Sequence, residues 1–326
     1  DRANFTFDIY LSTSSNPTTK VADDITALSY TPSGLVMNAK YYWKVVATDP
    51  SGSNTSSVMN FTIKPFATWT YQTQTASSEE TDVSISADGE YIVSSSKDKL
   101  YLHKTSSSTP VWIFDNDDTI HAVDISSDGR YIVACIDETV YIFNNTSNTP
   151  LWSYDTDEMV TDVEFSDDGE TFVVSDSYNV HLFDKDSSTP IWSYEMVETR
   201  VDISGDGKTI AAVRVGGNTQ GSIAQLKLFD RSSNTPLWTA SNLNINYANS
   251  ISLSADGQYV AIGGRLASGS GTTNLQFFGR DSSTPIWKES VGSPYGRVQV
   301  DLSHDGSFVA VSVDQGSDKG VHLYGK

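Results

Sequence analysis

The stretch DKDSSTPIWSYE, residues 184–195, decides the architecture of this chain because the chain writes it several times. Near-copies stand at 144–155 (NNTSNTPLWSYD) and 230–241 (DRSSNTPLWTAS), and looser ones at 103–114 and 279–290. Self-similarity at a fixed period is typical of repeat architectures. The copies therefore predict a structural unit that recurs along the chain.

The repeat has a period that suits four short strands. Tryptophans and Asp-Gly pairs recur every ~38–50 residues, as in propeller blades; the tryptophans are Trp69, Trp112, Trp152, Trp192, Trp238 and Trp287. One unit, residues 81–115, divides into four short runs of strand-forming residues, here named strands a to d. Asp-Gly between a and b predicts a two-residue hairpin turn, because Gly adopts the positive φ that such turns need.

The quoted stretch is interpreted as the joint between strands c and d. Proline lacks an N–H, so it suits an edge strand or the first residue of a strand. The tryptophan two positions later can then pack against the neighbouring sheet. A repeated dozen residues is thus a repeated structural joint, and it does not predict a repeated active site.

The order of strands predicts how the repeats close. The region begins with a lone d-like strand at 66–72 and ends with an a-b-c set that stops at Lys326. If 66–72 pairs with 321–326, six complete sheets form a ring with no open sheet edges. We therefore expect an all-β fold: a six-bladed β-propeller of four-stranded blades, at residues 65–326.

This region resembles the WD40-like repeats of archaeal and bacterial proteins, of the form S-x-DG-x-YIV … YLF … STPLW. The resemblance covers residues 66–326 and implies the propeller fold, which serves many functions. The chain departs from the WD40 pattern at the end of strand c. Where a Trp-Asp pair is expected, Phe143, Phe183 and Phe229 are followed by Asn144, Asp184 and Asp230.

Residues 1–64 do not share the repeat. Strands are predicted at FTFDIYLS, TKVADD, TALSYTP, KYYWKVVATD and SVMNFTIK. With FDIYLSTSSNP, LSYTPSGL and YYWKVVATDPSG, the segment resembles the C-terminal two-thirds of a fibronectin type III domain of microbial surface proteins. That resemblance implies a partial β-sandwich at residues 1–64 without its first two strands. The missing strands are either trimmed from this sequence or donated by another chain.

Composition and charge exclude several classes of function. The net charge of −20 and a pI near 4.4 disfavour nucleic acid and anionic membranes as partners. No apolar run is long enough for a membrane-spanning helix. The single cysteine, Cys135, lies in the apolar run YIVACI and is predicted to be buried and inert.

Catalytic and metal-binding patterns are missing from the sequence. The five histidines have no metal-ligand spacing, and no Gly-x-Ser-x-Gly motif occurs; they are His103, His121, His181, His304 and His322. His181 and His322 share a strand-c position with Tyr101, Tyr141, Lys227 and Gln276, so we expect that position to face solvent. No catalytic residue, metal or cofactor is predicted.

Topology points to one face as a binding surface. In a propeller the d–a and b–c connections share a face, and here they are more diverse than the uniform turns opposite. The expected binding residues, for a cationic ligand or partner, are Asp115, Asp117, Asp118, Asp155, Asp157, Glu158, Glu195, Glu198, Tyr247 and Tyr295. DNDD (115–118) and DTDE (155–158) offer calcium-type oxygens without the spacing of a twelve-residue calcium loop.

These features predict a non-enzymatic extracellular or cell-surface scaffold or adhesion protein, with the propeller as interaction platform in a larger surface assembly. Its partners would be other proteins or copies of itself, with cations or glycans as further ligands. Glycan acceptors would be Asn4, Asn54, Asn60, Asn144 and Asn145. The alternatives are a propeller enzyme, glycan-active or quinone-dependent, and a glycan-binding lectin.

Overall fold

The structure is a computed structural model that describes residues 5–27, 29–36, 39–62, 69–73, 82–215, 224–241, 243, 245–266, 274–292, 296–314 and 319–326. The chain divides into two compact units, Asp1–Thr70 and Tyr71–Lys326. Every regular element described in either unit is a β-strand.

The first unit is one five-stranded antiparallel sheet in the order β2-β1-β3-β4, with β5 also paired to β3. Its strands are β1 Thr6–Ser12, β2 Lys20–Ile25, β3 Lys40–Asp49, β4 Gly52–Thr55 and β5 Met59–Thr62. Period-two alternation places Phe7, Ile9 and Leu11 on the same face as Trp43 and Val45. This apolar face lines a cavity of about 540 Å³.

Two details of this unit differ from the sequence prediction. Where it is described, the segment at residues 26–32 forms no strand. In place of a backbone hydrogen-bond ladder, a side chain holds it: the Tyr30 hydroxyl donates to the Val21 carbonyl (2.8 Å). Strand β4 was not predicted. Asp49 Oδ1 accepts from the N–H groups of Ser51 (2.8 Å) and Gly52 (3.0 Å), and this tight turn returns the chain along β3.

The second unit contains six successive antiparallel sheets, here called sheets 1 to 6. Sheets 1 to 3 comprise β6 Val83–Ile85, β7 Tyr91–Ser96, β8 Lys99–Lys104 and β9 Pro110–Asp115; β10 Ile120–Ile125, β11 Tyr131–Ile136, β12 Thr139–Asn144 and β13 Trp152–Asp155; and β14 Val160–Phe165, β15 Thr171–Asp176, β16 Asn179–Asp184 and β17 Trp192–Glu195. Sheets 4 to 6 comprise β18 Thr199–Ile203, β19 Thr209–Arg214, β20 Leu226–Asp230 and β21 Ser233–Ala240; β22 Ile245–Leu253, β23 Tyr259–Leu266, β24 Leu275–Gly279 and β25 Trp287–Glu289; and β26 Val298–Leu302, β27 Phe308–Val313 and β28 Gly320–Gly325.

The strand order within the sheets confirms the predicted repeat. In sheets 1 to 5 strands a, b, c and d are hydrogen-bonded in chain order, and the first strand of each sheet contacts the first strand of the next. Sheet 6 has three strands, and among the described residues no strand pairs with the outer edge of β28. Residues 69–73 form no strand and 66–68 lie outside the described residues, so closure by 66–72 stays a prediction.

Each a–b connection is a Ser-x-Asp-Gly turn held by its own side chains. In sheet 5 the Ser254 hydroxyl donates to Asp256 Oδ1 (2.7 Å), and the Tyr259 N–H donates back to Ser254 Oγ (3.0 Å). Gly257 has a φ of +65°, as predicted for the Asp-Gly glycine. The predicted loop length is wrong: four residues, not two, separate Ser254 from Tyr259, because the serine side chain and the Ser254–Gly257 backbone bond close a longer turn.

The same turn packs against the preceding sheet. A Cβ added at Gly257 would lie 2.7 Å from Thr209 Cβ and 3.2 Å from Ser204 Cβ, both in sheet 4 or its turn. Glycine is therefore required here by close approach as well as by φ.

The repeated tryptophan joins neighbouring sheets, as the sequence predicts. The indole Nε1 donates to a backbone carbonyl of the following sheet: Trp152 to Lys185 (2.8 Å), Trp192 to Arg231 (2.9 Å) and Trp238 to Arg280 (2.6 Å). The rings also contact a phenylalanine of that sheet, as Trp152 contacts Phe183 at 5.8 Å between centroids. These three joints thus combine apolar burial with a satisfied indole donor, whereas the buried Nε1 atoms of Trp112 and Trp287 have no hydrogen-bond partner in the described part of the chain.

The strand-c position expected to face solvent is buried or half-buried. His181, at 4% exposed, Tyr101 and Gln276 are buried, and Tyr141, Lys227 and His322 are half-buried. His181 lies 2.8 Å from Asp176 Oδ2 and 2.7 Å from Ser193 Oγ, and the Tyr154 ring of the preceding sheet covers it. The position accepts varied side chains because each meets different polar neighbours.

The innermost strands are bridged by acidic side chains. Asp124 Oδ2 accepts from the Phe165 N–H (2.7 Å), and Asp202 Oδ2 accepts from the Leu253 N–H (2.5 Å), each bond crossing to the next sheet. Asp82 and Asp162 make the same kind of bridge. Burial raises the pKa of Asp124 and Asp162 to about 6 and that of Asp202 to about 8.

Replacing Gly257 by alanine should destabilise the chain more than replacing Gly169. Both glycines have φ near +66° (65° and 67°) and share a left-handed penalty of about 1–2 kcal/mol. The new methyl group meets Thr209 Cβ at 2.7 Å in Gly257→Ala, but Ser126 Cβ only at 3.2 Å in Gly169→Ala. We expect Gly257→Ala to lose about 1–3 kcal/mol more in urea unfolding, as overpacking does. Equal losses would contradict the close approach between sheets.

Asp202→Asn should change the pH dependence of stability. The folded-state pKa of Asp202, about 8, lies above its unfolded value, so its contribution is complete below about pH 4 and is lost as pH rises through 8. Asparagine cannot ionise, so the free energy of unfolding of Asp202→Asn relative to wild type should rise across this window by up to about 1.4 kcal/mol per pH unit.

Denaturant unfolding between pH 2 and 9 measures this difference and that of the control. Asp305→Asn is the control of opposite sign, because hydrogen bonds from Ser307 and Ser303 lower the pKa of Asp305 to about 2. Its difference from wild type should change only below about pH 4. A flat Asp202→Asn difference would contradict a protonated Asp202.

Candidate functional site

The diverse connections meet at one end of the sheets, as predicted. In sheet 1 the Asn116 N–H, in the d–a loop, donates to the Asp98 carbonyl in the b–c turn (2.9 Å), and the Ile120 N–H donates to Lys97 (2.7 Å). In sheet 2 the Thr156 N–H donates to Glu138 in the same way (2.9 Å). The two kinds of loop therefore support one another on a single face, here called the loop face.

The acidic residues predicted for binding lie in two neighbouring d–a loops of the loop face. Asp117 and Asp118 are exposed between β9 and β10, and Asp155 and Asp157 are exposed at the corresponding place between β13 and β14. Asp115 forms an ion pair with Lys99, and Glu158 is half-buried. Four exposed carboxylates of these two loops and the half-buried Glu158 form an acidic arc, defined here as Asp117, Asp118, Asp155, Asp157 and Glu158.

The other predicted residues lie outside this arc. Glu195 and Glu198 belong to the next d–a loop, and Tyr247 lies within β22. Tyr295 lies outside the described residues. Glu198 and Tyr247 come together as lining residues of a cavity of about 780 Å³ on the loop face of sheets 3 to 5.

This cavity contains cationic and aromatic residues that the sequence did not single out. Tyr178, Thr199, Arg200 and Arg214 also line it. Arg200 Nη1 lies 3.7 Å from Asp162 Oδ1, and its other near neighbour is the Thr161 carbonyl. Next to the cavity the Arg265 guanidinium lies 5.1 Å from the centre of the Tyr247 ring. In a chain of charge −20, three arginines at one place make a local positive region.

A sequence signal for these arginines existed but was weak. Aligned on the repeat, Arg200 occupies the position of Ala122, Asp162 and Ser250 on strand a, and it is the one cation among these. Arg200 lies close to Arg214 because strands β18 and β19 of sheet 4 are paired, but the cavity that they line also needs sheets 3 and 5, whose packing the repeat pattern alone does not contain. The sequence could therefore single out Arg200, but it could not predict the cavity.

One group of carboxylates within metal-ligand distance occurs among the described residues, and it lies in the first unit. Asp8, Asp23 and Asp24 form it. The Lys20 ammonium lies 2.7 Å from Asp8 and 2.6 Å from Asp23, so this negative charge already has a cation. The two loops considered for calcium, 115–118 and 155–158, do not form such a group.

The remaining sequence candidates are placed as follows. Cys135 is fully buried, as predicted, and burial raises the pKa of its thiol. Of the glycan acceptors, Asn54 and Asn60 are exposed on strands, and Asn144 Oδ1 accepts from the Thr146 N–H (2.9 Å). Asn145 follows at the end of β12, and Asn4 lies outside the described residues. Glycosylation stays a prediction.

No helix in the described part of the chain is long and apolar enough to cross a membrane.

Comparison with known proteins supports the propeller. Residues 108–144 match the family model described as WD domain, G-beta repeat. The chain is similar to the crystal structure of the Myceliophteria thermophila Cps50 (Swd1) beta-propeller domain, with a TM-score of 0.55 and 13% identity over 87% of this chain and 90% of that chain. No curated protein matches the chain.

The comparison corrects one expectation. The extracellular, cell-surface location predicted from the sequence is contradicted, because the similar propeller is that of Cps50 (Swd1), which points away from a surface protein. That expectation rested on the pairing of a fibronectin-like segment with a propeller, on the acidic surface and on the missing catalytic spacing. None of these features reports a compartment by itself.

Five successive a-b-c-d sheets with a sixth a-b-c sheet, the match of residues 108–144 to the WD repeat and the similarity to a solved propeller agree with one another. The second unit of this chain has a β-propeller fold that contains a WD-type repeat.

Proposed function

We propose that this protein is a non-catalytic protein-interaction platform that binds its partners through the loop face. The observation that carries the proposal is the difference between the two faces. The turns on one face satisfy their own polar groups, as the Ser254–Asp256 turn does. The loop face instead presents the acidic arc and the cavity, and rigid scaffolds concentrate recognition in such loops.

A catalytic function has less support. Buried carboxylates with raised pKa values often mark active sites. Here Asp124 and Asp202 each accept a backbone N–H of the next sheet, so a structural role already accounts for them. The cavity likewise lacks a nucleophile paired with a base among its described lining residues. No observation favours the enzyme or the lectin alternative.

Neutralising the acidic arc should weaken binding of a cationic partner. The test variant is Asp117→Asn, Asp118→Asn, Asp157→Asn and Glu158→Gln, and the probe is a fluorescent decalysine peptide. Each exposed ion pair contributes about 0.2–1 kcal/mol, so the four changes together should weaken binding by roughly fourfold to several hundredfold, measured by fluorescence anisotropy at low salt.

The control carries four equivalent changes on the opposite face: Glu90→Gln, Asp167→Asn, Asp186→Asn and Asp281→Asn. All four residues are exposed in the a–b or c–d turns. The control lowers the net negative charge equally, so it should keep wild-type affinity if the arc is the site. Equal weakening in both variants would reduce the effect to net charge and contradict the proposed face.

The domain organisation belongs to the same proposal. We propose that residues 1–64 are a fibronectin type III-like module, in which two further strands would cover the apolar face of Ile9, Leu11, Trp43 and Val45. Sheets with one apolar face need a second layer, and this face lines the cavity of about 540 Å³. Whether the covering strands belong to this polypeptide or to another is left open.

We further propose that residues 65–326 form a six-bladed ring closed by residues 66–72. The Tyr71 ring contacts Tyr101 (5.3 Å) and His103 (5.0 Å) of sheet 1, just as Tyr154 contacts His181 and Phe183 of its following sheet. Tyr71 thus behaves as the strand-d aromatic of a sheet that precedes sheet 1.

Exposure at sheet 6 also supports closure. Leu323 is 69% exposed and Val321 is 83% exposed, whereas their equivalents Ile142 and Val140 are fully buried by the next sheet. The equivalent apolar side chains are buried in all the other sheets, so we expect the next sheet of the ring to bury Val321 and Leu323 as well.

The pairing of strands c and d predicts the register of closure. Val140 pairs with Tyr154, so by the repeat Val321 should pair with Tyr71. In the variant Tyr71→Cys with Val321→Cys, a disulfide should form on mild oxidation, because paired Cα atoms fall within the 4.4–6.8 Å range of disulfides. Mass spectrometry after proteolysis detects it.

Tyr71→Cys with Leu323→Cys is the matched control, two residues out of register. It should stay reduced under the same conditions. A bridge in the control alone, or in neither variant, would contradict this closure.

A further inference from the structure

Arg214 is a half-buried cation without a counter-ion in the part of the chain that the structure describes. Its Nε is buried and has no hydrogen-bond partner. Other arginines of this unit pair with aspartates: Arg130 with Asp128 (3.3 Å), Arg231 with Asp184 (3.5 Å) and Arg280 with Asp230 (3.1 Å). Acidic residues outnumber Lys and Arg by 41 to 21, so partners are plentiful elsewhere. A desolvated charge without a partner is costly, so this one points to a ligand.

A second orphaned donor lies beside it. Thr199 pairs with Arg214 across strands β18 and β19 and is only 2% exposed. Its hydroxyl is buried without a partner, and both residues line the cavity of about 780 Å³. Buried polar atoms in native proteins are nearly always satisfied, so two unsatisfied donors in one cavity call for an acceptor.

The charge balance of the cavity selects the kind of acceptor. Arg200, Arg214 and the adjacent Arg265 bring three positive charges. Glu198 and Asp162, the latter 3.7 Å from Arg200, bring two negative charges, which leaves a net charge of about plus one. A single carboxylate matches that balance, and guanidinium groups bind carboxylates with strong charge-assisted hydrogen bonds. A phosphate dianion would exceed it, in a protein whose overall field already repels anions.

The shape of the cavity suits part of a peptide. Its volume lies within the ~300–1,000 Å³ range typical of ligand pockets. Tyr178 and Tyr247 provide aromatic surface beside the arginines, and Arg265 lies against the Tyr247 ring. Aromatic and arginine residues together are typical of the anchoring points of protein interfaces.

We infer that this cavity binds an aspartate or glutamate side chain of an acidic peptide segment in a partner protein, with Arg214 as the main ion-pair donor. The inference rests on the proposed function, because it assigns a partner group to the same face. The acidic arc and the cavity are then two separate subsites of opposite charge. A partner with one basic and one acidic stretch would bind in a single orientation.

The test uses the whole chain, labelled with ¹⁵N-arginine, and N-acetyl-glutamate α-amide as probe. The Nε–H signal of Arg214 should shift and saturate, with a dissociation constant of the order of 1 mM for so small a ligand. N-acetyl-glutamine α-amide has the same shape without the charge and should cause no saturable shift.

Arg214→Met keeps the length of the side chain and removes its charge. It should weaken binding of N-acetyl-glutamate α-amide at least about tenfold, followed on the Arg200 Nε–H signal, and it should raise the thermal midpoint, since it removes an uncompensated cation. Arg130→Met, whose side chain is exposed and paired with Asp128 in an a–b turn, should leave binding unchanged. The stability measurement also shows that the Arg214→Met variant is folded.

The inference is overturned if neither probe shifts Arg214, if both probes shift it equally, or if inorganic phosphate binds and N-acetyl-glutamate α-amide does not. These outcomes leave the decalysine experiment on the acidic arc untouched. Conversely, suppose that neutralising the acidic arc leaves decalysine binding unchanged while N-acetyl-glutamate α-amide still binds. That outcome would contradict the proposed cationic partner and keep the cavity assignment.

Discussion

The structure of the second unit depends on the joint between successive sheets. At the inner end, a side chain of one sheet accepts a backbone N–H of the next, as Asp124 does from Phe165. At the outer end of the joints from sheet 2 to sheet 5, an indole N–H donates to a backbone carbonyl of the next sheet, as Trp152 does to Lys185. Two directional bonds at opposite ends fix the rotation of one sheet on another, while the apolar residues between them supply most of the free energy.

These joints keep carboxylates away from water, which opposes folding near neutral pH. The pKa of Asp202 is raised to about 8 because desolvation disfavours its charged form more than its two backbone hydrogen bonds favour it. The bonds to Leu253 and Ile203 offset part of this cost. The inner carboxylates thus define the relative positions of the sheets at some expense of stability, as buried polar groups do in other proteins.

Much of the fold could be predicted from sequence, because each repeat marks the same points with the same residues. Trp152, Trp192 and Trp238 lie at the predicted joint, and the Asp-Gly glycines have the predicted positive φ. Features that depend on a neighbouring sheet could not be read. His181 was expected in solvent because its cover, Tyr154, belongs to another repeat. The cavity lined by Arg200 and Arg214 likewise forms only when three sheets pack.

Because the joints from sheet 2 to sheet 5 use the same bonds, one of these repeats can meet another without new chemistry. The seam between sheets 3 and 4 and the seam between sheets 4 and 5 share the indole-to-carbonyl bond, although their loops differ. Duplication or loss of one repeat in the gene would therefore yield a chain whose internal seams are already compatible. Evolution can vary the number of sheets in such a protein independently of the loops that recognise partners.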